Sequence, residues 1–139
     1  MDPRVSLITV PVADRGRSRR FYAEGLGWEP LFDGQDVLMF RVGEHLVLSL
    51  WDADSFTAEV GTPRSGPGVA PLTIAHNVAT DAAVDDVLRV AGAAGARVWS
   101  AERRAWGGYS GYFADPDDYR WEVANAGSEG PLAFLVPSA

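Results

Sequence analysis

One pattern constrains this chain more than any other: strand, helix and three strands, followed by the same order again. In the first pass residues 6–12 (SLITVPV) alternate as a strand, and Asp14 stands where a helix cap is needed. A helix over residues 15–26 follows, with Phe21, Tyr22 and Leu26 as its apolar stripe and Gly27 as its left-handed stop. Short strands are expected at 28–32, 37–41 and 46–51, with Gly34 and Gly43 in the turns. In the second pass residues 72–78 form the strand, and Thr80 or Asp81 caps a helix. There Val84, Val87, Leu88 and Ala91 fall at i, i+3, i+4 and i+7, and Gly95 ends the run. Strands at 96–100, 109–113 and 119–125 complete it. Superposing the passes pairs Leu7 with Thr73, Gly27 with Gly95, and Ser49 with Glu122.

Between the passes, residues 52–71 carry prolines and glycines with no sustained period and read as a linker or flap. The expected organisation is a first module at 1–52, a linker at 53–71, a second module at 72–125 and an apolar tail at 126–139, all within one structural domain.

The sharpest chemical clue is the segment 106–123, WGGYSGYFADPDDYRWEV. It reads as two strands joined by a turn at Ala114-Asp115-Pro116-Asp117-Asp118. Pro presets the first turn dihedral there, and Asp tolerates the left-handed position. Strand alternation turns Tyr119, Trp121 and Val123 one way and Arg120, Glu122 and Ala124 the other. In the first strand the same alternation separates Ile8, Val10 and Val12 from Leu7, Thr9 and Pro11.

Composition excludes several function classes. The chain has no Cys, so thiolate metal sites and thiol nucleophiles are ruled out. All 12 basic residues are Arg, which rules out a Schiff-base lysine. A net charge of -7 without a basic run argues against nucleic acid as a partner, and it favours a neutral or cationic ligand. No apolar run approaches the ~20 residues needed to span a bilayer, so no membrane is expected. The first residues lack the pattern of a secretory signal, and the expected location is the cytoplasm.

Three segments, residues 12–28 (VADRGRSRRFYAEGLGW), 74–78 (IAHNV) and 106–123, resemble the vicinal oxygen chelate superfamily of glyoxalase I, bleomycin resistance proteins and extradiol dioxygenases. The last segment is close to a glyoxalase-like subgroup, departing from it at Asp118, where Gly is usual. The resemblance implies an α+β fold of two βαβββ modules, each a curved sheet backed by a helix, wrapped around a cleft and commonly paired as a homodimer. It also implies four inward positions that hold metal ligands in metal-dependent members. Matched residue by residue, these are Leu7, Ser49, Thr73 and Glu122, of which Glu122 alone is a good ligand for a divalent ion. The expectation is therefore no metal and no cofactor.

The candidate catalytic residue is Glu122. Thr9, Ser49, Trp51, Thr73, Asn77, Trp106, Tyr109, Tyr112 and Arg120 are candidate ligand-binding residues. Each has a plainer reading. Glu122 is either a ligand-orienting group or general base, or a structural carboxylate paired with Arg120 or bonded to a tyrosine. The aromatic residues either wall a pocket or fill a core, and Trp121 is assigned to the core. His76 has the wrong parity for the cleft and reads as structural, while His45 lies beside a turn. The leading expectation is a metal-free small-molecule-binding protein. A metal-independent lyase or isomerase using Glu122 as base comes next, then a metal-dependent glyoxalase or dioxygenase.

Overall fold

The computed structural model describes residues 1–137; Ser138 and Ala139, the end of the expected tail, lie outside them. The chain divides into two compact units, Met1–Pro67 and Gly68–Ala139. Each holds one four-stranded mixed sheet.

In the first unit β1 (Leu7–Val12) leads into α1 (Arg15–Arg19), which continues as a π-helical segment, Arg20–Gly25. Asp14 caps the helix as expected, its carboxylate accepting the Arg17 N–H at 3.0 Å. The widened turn is visible in the Leu26 N–H, which donates to the carbonyl five residues back, Phe21 O, at 2.9 Å. Phe21 and Tyr22 are both buried, and the Tyr22 ring lies 5.7 Å from that of Phe40. Then come β2 (Phe32–Asp33), β3 (Val37–Arg41) and β4 (Val47–Asp52), in sheet order β1-β4-β3-β2. The strand expected at 28–32 shrinks because Pro30 has no N–H to give. Pairing starts only at Leu31, whose N–H reaches Met39 O at 2.8 Å. Val10, Val12, Leu38, Phe40, Leu48 and Leu50 are buried on the face toward the helix.

The first part of the expected linker is structured. Ala53–Val60 forms α2, capped by Asp52 through the Asp54 and Ser55 N–H groups and ended by Gly61 at φ 117°.

The second unit repeats the plan with β5 (Thr73–Asn77), α3 (Asp81–Ala93), β6 (Arg97–Arg103), β7 (Tyr109–Ala114) and β8 (Arg120–Asn125), in sheet order β5-β8-β7-β6. Thr80 caps α3 by accepting the Ala83 N–H at 3.1 Å. Helix α3 covers the face that carries Phe113, Trp121 and Val123. Tyr109 donates to Asp85 and Asn125 to Asp81, both on α3, and Leu88 closes on Gly111. Phe113 and Trp121 stack with centroids 5.8 Å apart, and Trp121 is 5% exposed. Strand β6 outruns its expected end at 100, passing through a bulge between Trp99 and Glu102. At the β7–β8 turn Asp115 accepts the N–H groups of Asp117 and Tyr119, and Asp118 takes the left-handed backbone at φ 66°. Beyond β8 the tail makes one short turn, Ala133–Leu135, and leaves Leu132, Phe134 and Leu135 exposed. Among the described residues no helix is long and apolar enough to cross a membrane.

Candidate functional site

The helix-free face of the second sheet gathers the polar chemistry of the molecule. Register places Thr73 beside Arg120 and Ala75 beside Glu122; Glu122 lies opposite Tyr112, and Tyr112 opposite Trp99. Because side chains on paired residues share a face, these form two adjoining rows. An open concavity of about 710 Å³ lies here, lined by Val69, Thr73, Val98, Trp99, Ser100, Glu102, Arg104, Tyr112 and Arg120.

Glu122 and Tyr112 stand opposite each other across β8 and β7. Burial pushes the Tyr112 hydroxyl above the ordinary tyrosine pKa. The nearby charge of Glu122 raises it further, and the charge of Arg104 opposes this. The tyrosine therefore stays a proton donor through neutral pH. Arg104 is held by the two strands it joins: Nε donates to Ser110 Oγ at 3.0 Å, and Nη2 to Ser110 O at 3.0 Å. Its Nη1 meets Glu102 at 2.6 Å, with the guanidinium 5.5 Å from the Tyr112 ring centre. Arg120 turns away from Glu122 to meet Asp118 at 3.4 Å and lies 4.2 Å over Trp99.

Three of the expected ligand-binding residues, Thr73, Tyr112 and Arg120, line the concavity, with Glu122 in the same rows. Asn77 is on the same face, four positions beyond Thr73 along β5, in register with Ala124. Tyr109 is not with them. It stands three residues from Tyr112, an odd step along a strand, and so faces α3, where its hydroxyl donates to Asp85 at 3.0 Å. That bond chiefly raises the Tyr109 pKa. Trp106 is exposed, and its ring folds over Gly108, where any side chain would collide with it. His76 lies opposite Val123 on the α3 side; desolvation lowers its pKa and keeps the ring neutral at pH 7.

Thr9, Ser49 and Trp51 belong to the first unit and share the face of its sheet opposite α1. Thr9 pairs with Ser49, and Ser49 with Met39. Ser49 is 2% exposed. The Trp51 indole donates to Asp36 at 3.2 Å and packs edge-on against Phe56 of α2.

Trp99 and Arg104 carry much of the concavity and were not singled out from the sequence. A strand ending at Ser100 puts Glu102 in a loop, whereas β6 runs on to Arg103. The alternation of Arg97 and Trp99 was the available signal, since it sets the indole on the face of Tyr112.

A divalent metal does not fit the donors present. Leu7 offers none, Ser49 and Thr73 offer neutral hydroxyls, and Glu122 alone offers a carboxylate. Among the described residues no three His, Cys, Asp or Glu side chains group as a metal site would require.

The sequence profile of the Glyoxalase/Bleomycin resistance protein/Dioxygenase superfamily matches residues 4–123. Among solved structures the chain is similar to a glyoxalase-related enzyme from Fulvimarina pelagi, with TM-score 0.80 and 31% identity over 88% of each chain. It is also similar to a glyoxalase/bleomycin resistance protein/dioxygenase from Nocardioides, with TM-score 0.78 and 21% identity over 94% of this chain and 87% of that one. A lactoylglutathione lyase from Agrobacterium tumefaciens gives TM-score 0.68 and 23% identity over 89% of this chain and 94% of that one. The last two likenesses speak for the fold alone. No curated protein sequence matches the chain at a significant level.

Proposed function

Because the chain belongs to the Glyoxalase/Bleomycin resistance protein/Dioxygenase superfamily, we propose that it is a small-molecule-binding protein that works without a divalent metal. The observation that carries this reading is the concavity on the helix-free face of the second sheet, where aromatic walls and a few convergent polar groups meet. The donor set at Leu7, Ser49, Thr73 and Glu122 supports the metal-free part. The reading includes a cytoplasmic location and a homodimer, the latter supported by the exposed apolar Leu132, Phe134 and Leu135.

The test is nuclear magnetic resonance of the ¹⁵N-labelled chain with three probes of one shape, benzoate, benzamide and benzylamine, at millimolar concentration. The Trp99 indole signal, assigned by its loss in Trp99→Phe, should move with at least one probe. If it moves with none of the three, the reading falls.

The placement of Tyr112 opposite Glu122 favours a second reading, a metal-independent lyase or isomerase. Glu122 takes a proton from a carbon acid, while the neutral Tyr112 orients the carboxylate and supplies a hydrogen bond. Any proton-abstraction activity of the protein should then collapse in Glu122→Gln with fold and binding retained. Activity that survives this change removes Glu122 as the base.

A further inference from the structure

At the β7–β8 turn a single carboxylate oxygen, Asp118 Oδ1, meets two arginines, Arg97 Nη2 at 3.0 Å and Arg120 Nη2 at 3.4 Å. Both guanidinium groups lie over one indole: Arg97 is 4.8 Å and Arg120 4.2 Å from the Trp99 ring centre. Arg120 is only 17% exposed, and its Nε is buried with no hydrogen-bond partner. A guanidinium presents a planar fork of five N–H donors, shaped to take both oxygens of a carboxylate. Asp118 engages one nitrogen of Arg120, at a long distance, and leaves the rest of the fork underfilled. Bringing two like charges to one aromatic plate opposes their repulsion, and a buried unsatisfied donor adds to that cost. The arrangement makes chemical sense as an anion-binding fork with a stacking surface beside it.

We propose that Arg97 and Arg120, held on Trp99, form a binding site for a small planar organic carboxylate, and that Asp118 occupies this site in the free protein as an internal surrogate. This deepens the reading of the concavity as a small-molecule site and rests on it. Arg120 and Trp99 line that concavity, so a ligand carboxylate at the fork would extend its planar body toward Tyr112. Asp118 is 52% exposed and has water at hand to move into when a ligand displaces it. The exchange of one carboxylate for another keeps the charge balance of the two arginines. The local field of the site thus opposes the preference for neutral or cationic ligands suggested by the net charge.

The same three probes decide the matter. Benzoate should move the Trp99 indole and Arg120 Nε signals and bind at least about tenfold more tightly than benzamide, with an affinity that falls as salt is added. Arg120→Gln should weaken benzoate roughly tenfold. Asp118→Gly, which removes the surrogate and suits a positive φ, should strengthen it, a gain that a folding defect could not imitate. Benzamide or benzylamine binding as well as benzoate would overturn the inference while leaving the small-molecule reading intact. Benzoate affinity unchanged in Arg120→Gln, or not increased in Asp118→Gly, would overturn it as well. If none of the probes moves the Trp99 signal, the inference and the reading beneath it fall together.

Discussion

The two units run through the same order of strands and helix, yet the same register position holds different chemistry in each. In the first sheet Met39 lies opposite Ser49; in the second, Tyr112 lies opposite Glu122. Behind both pairs the helix-facing residues agree in character, with Leu50 and Val123 fully buried beside Phe40 and Phe113. The face against the helix is bound by packing, where a change of volume is felt at once. The opposite face differs between the units: in the first it carries Ser49 and Met39, and in the second it is charged and aromatic. A repeat of this kind keeps its architecture on one side of the sheet and varies its chemistry on the other.

The largest expected effect would break this comparison if it failed. Trp121→Ala removes the ring stacked on Phe113 under α3, and it should cost about 3–5 kcal/mol in urea unfolding. A change well below 1 kcal/mol would mean that the helix-facing side does not carry the stability of the second unit.

A smaller effect tests where the repeats part company on the packed face. Leu38 in β3 corresponds to Gly111 in β7, opposite the β6 bulge. A Cβ on Gly111 would stand 2.9 Å from Ala101 N and 2.9 Å from Trp99 O, backbone atoms that cannot easily yield. Gly111→Ala should therefore destabilise by about 1–3 kcal/mol. A neutral outcome would show that the bulge can relax.

The smallest effect sharpens the contrast on the open face. Tyr112 has its pKa raised first by burial and then by Glu122, so its contribution is complete below pH 10 and disappears as pH rises through the elevated value. In Glu122→Gln the ultraviolet titration of Tyr112 should move back toward 10 without reaching it, because burial remains. Tyr119, pushed up to about 12 chiefly by burial, should not respond. A Tyr112 titration unchanged by the substitution would mean that the carboxylate does not act on the phenol.

The parts of the fold legible in the sequence are those governed by local rules. The burial of Trp121 and Val123 and the open placement of Arg120 and Glu122 follow from two-residue periodicity in a strand with one packed face. The left-handed Asp118 follows from the Asp115-Pro116 turn chemistry. Helix α2 was obscured because its cap at Asp52 and its stop at Gly61 were averaged into a segment rich in Pro and Gly. Tyr109 was grouped with Tyr112 by residue type, although three residues along a strand cannot share a face. Trp99 joins the site on β6 and Arg104 just beyond its end; the pairing partner and bulge of that strand are set by tertiary contact.

That bulge has a consequence for how the strand can change. Two residues of β6, Ser100 and Ala101, stand against Gly111 alone, so alternation is reset between Trp99 and Glu102, and both look out on the same side. The strand has a phase joint. Losing one residue at the joint would straighten the ladder yet leave Trp99 opposite Tyr112 and Glu102 opposite Ser110. The same loss elsewhere in β6 would invert every side chain on one side of the cut. Changes of length are thus silent at one place in β6, while at every other place they exchange the inside of the sheet for its outside.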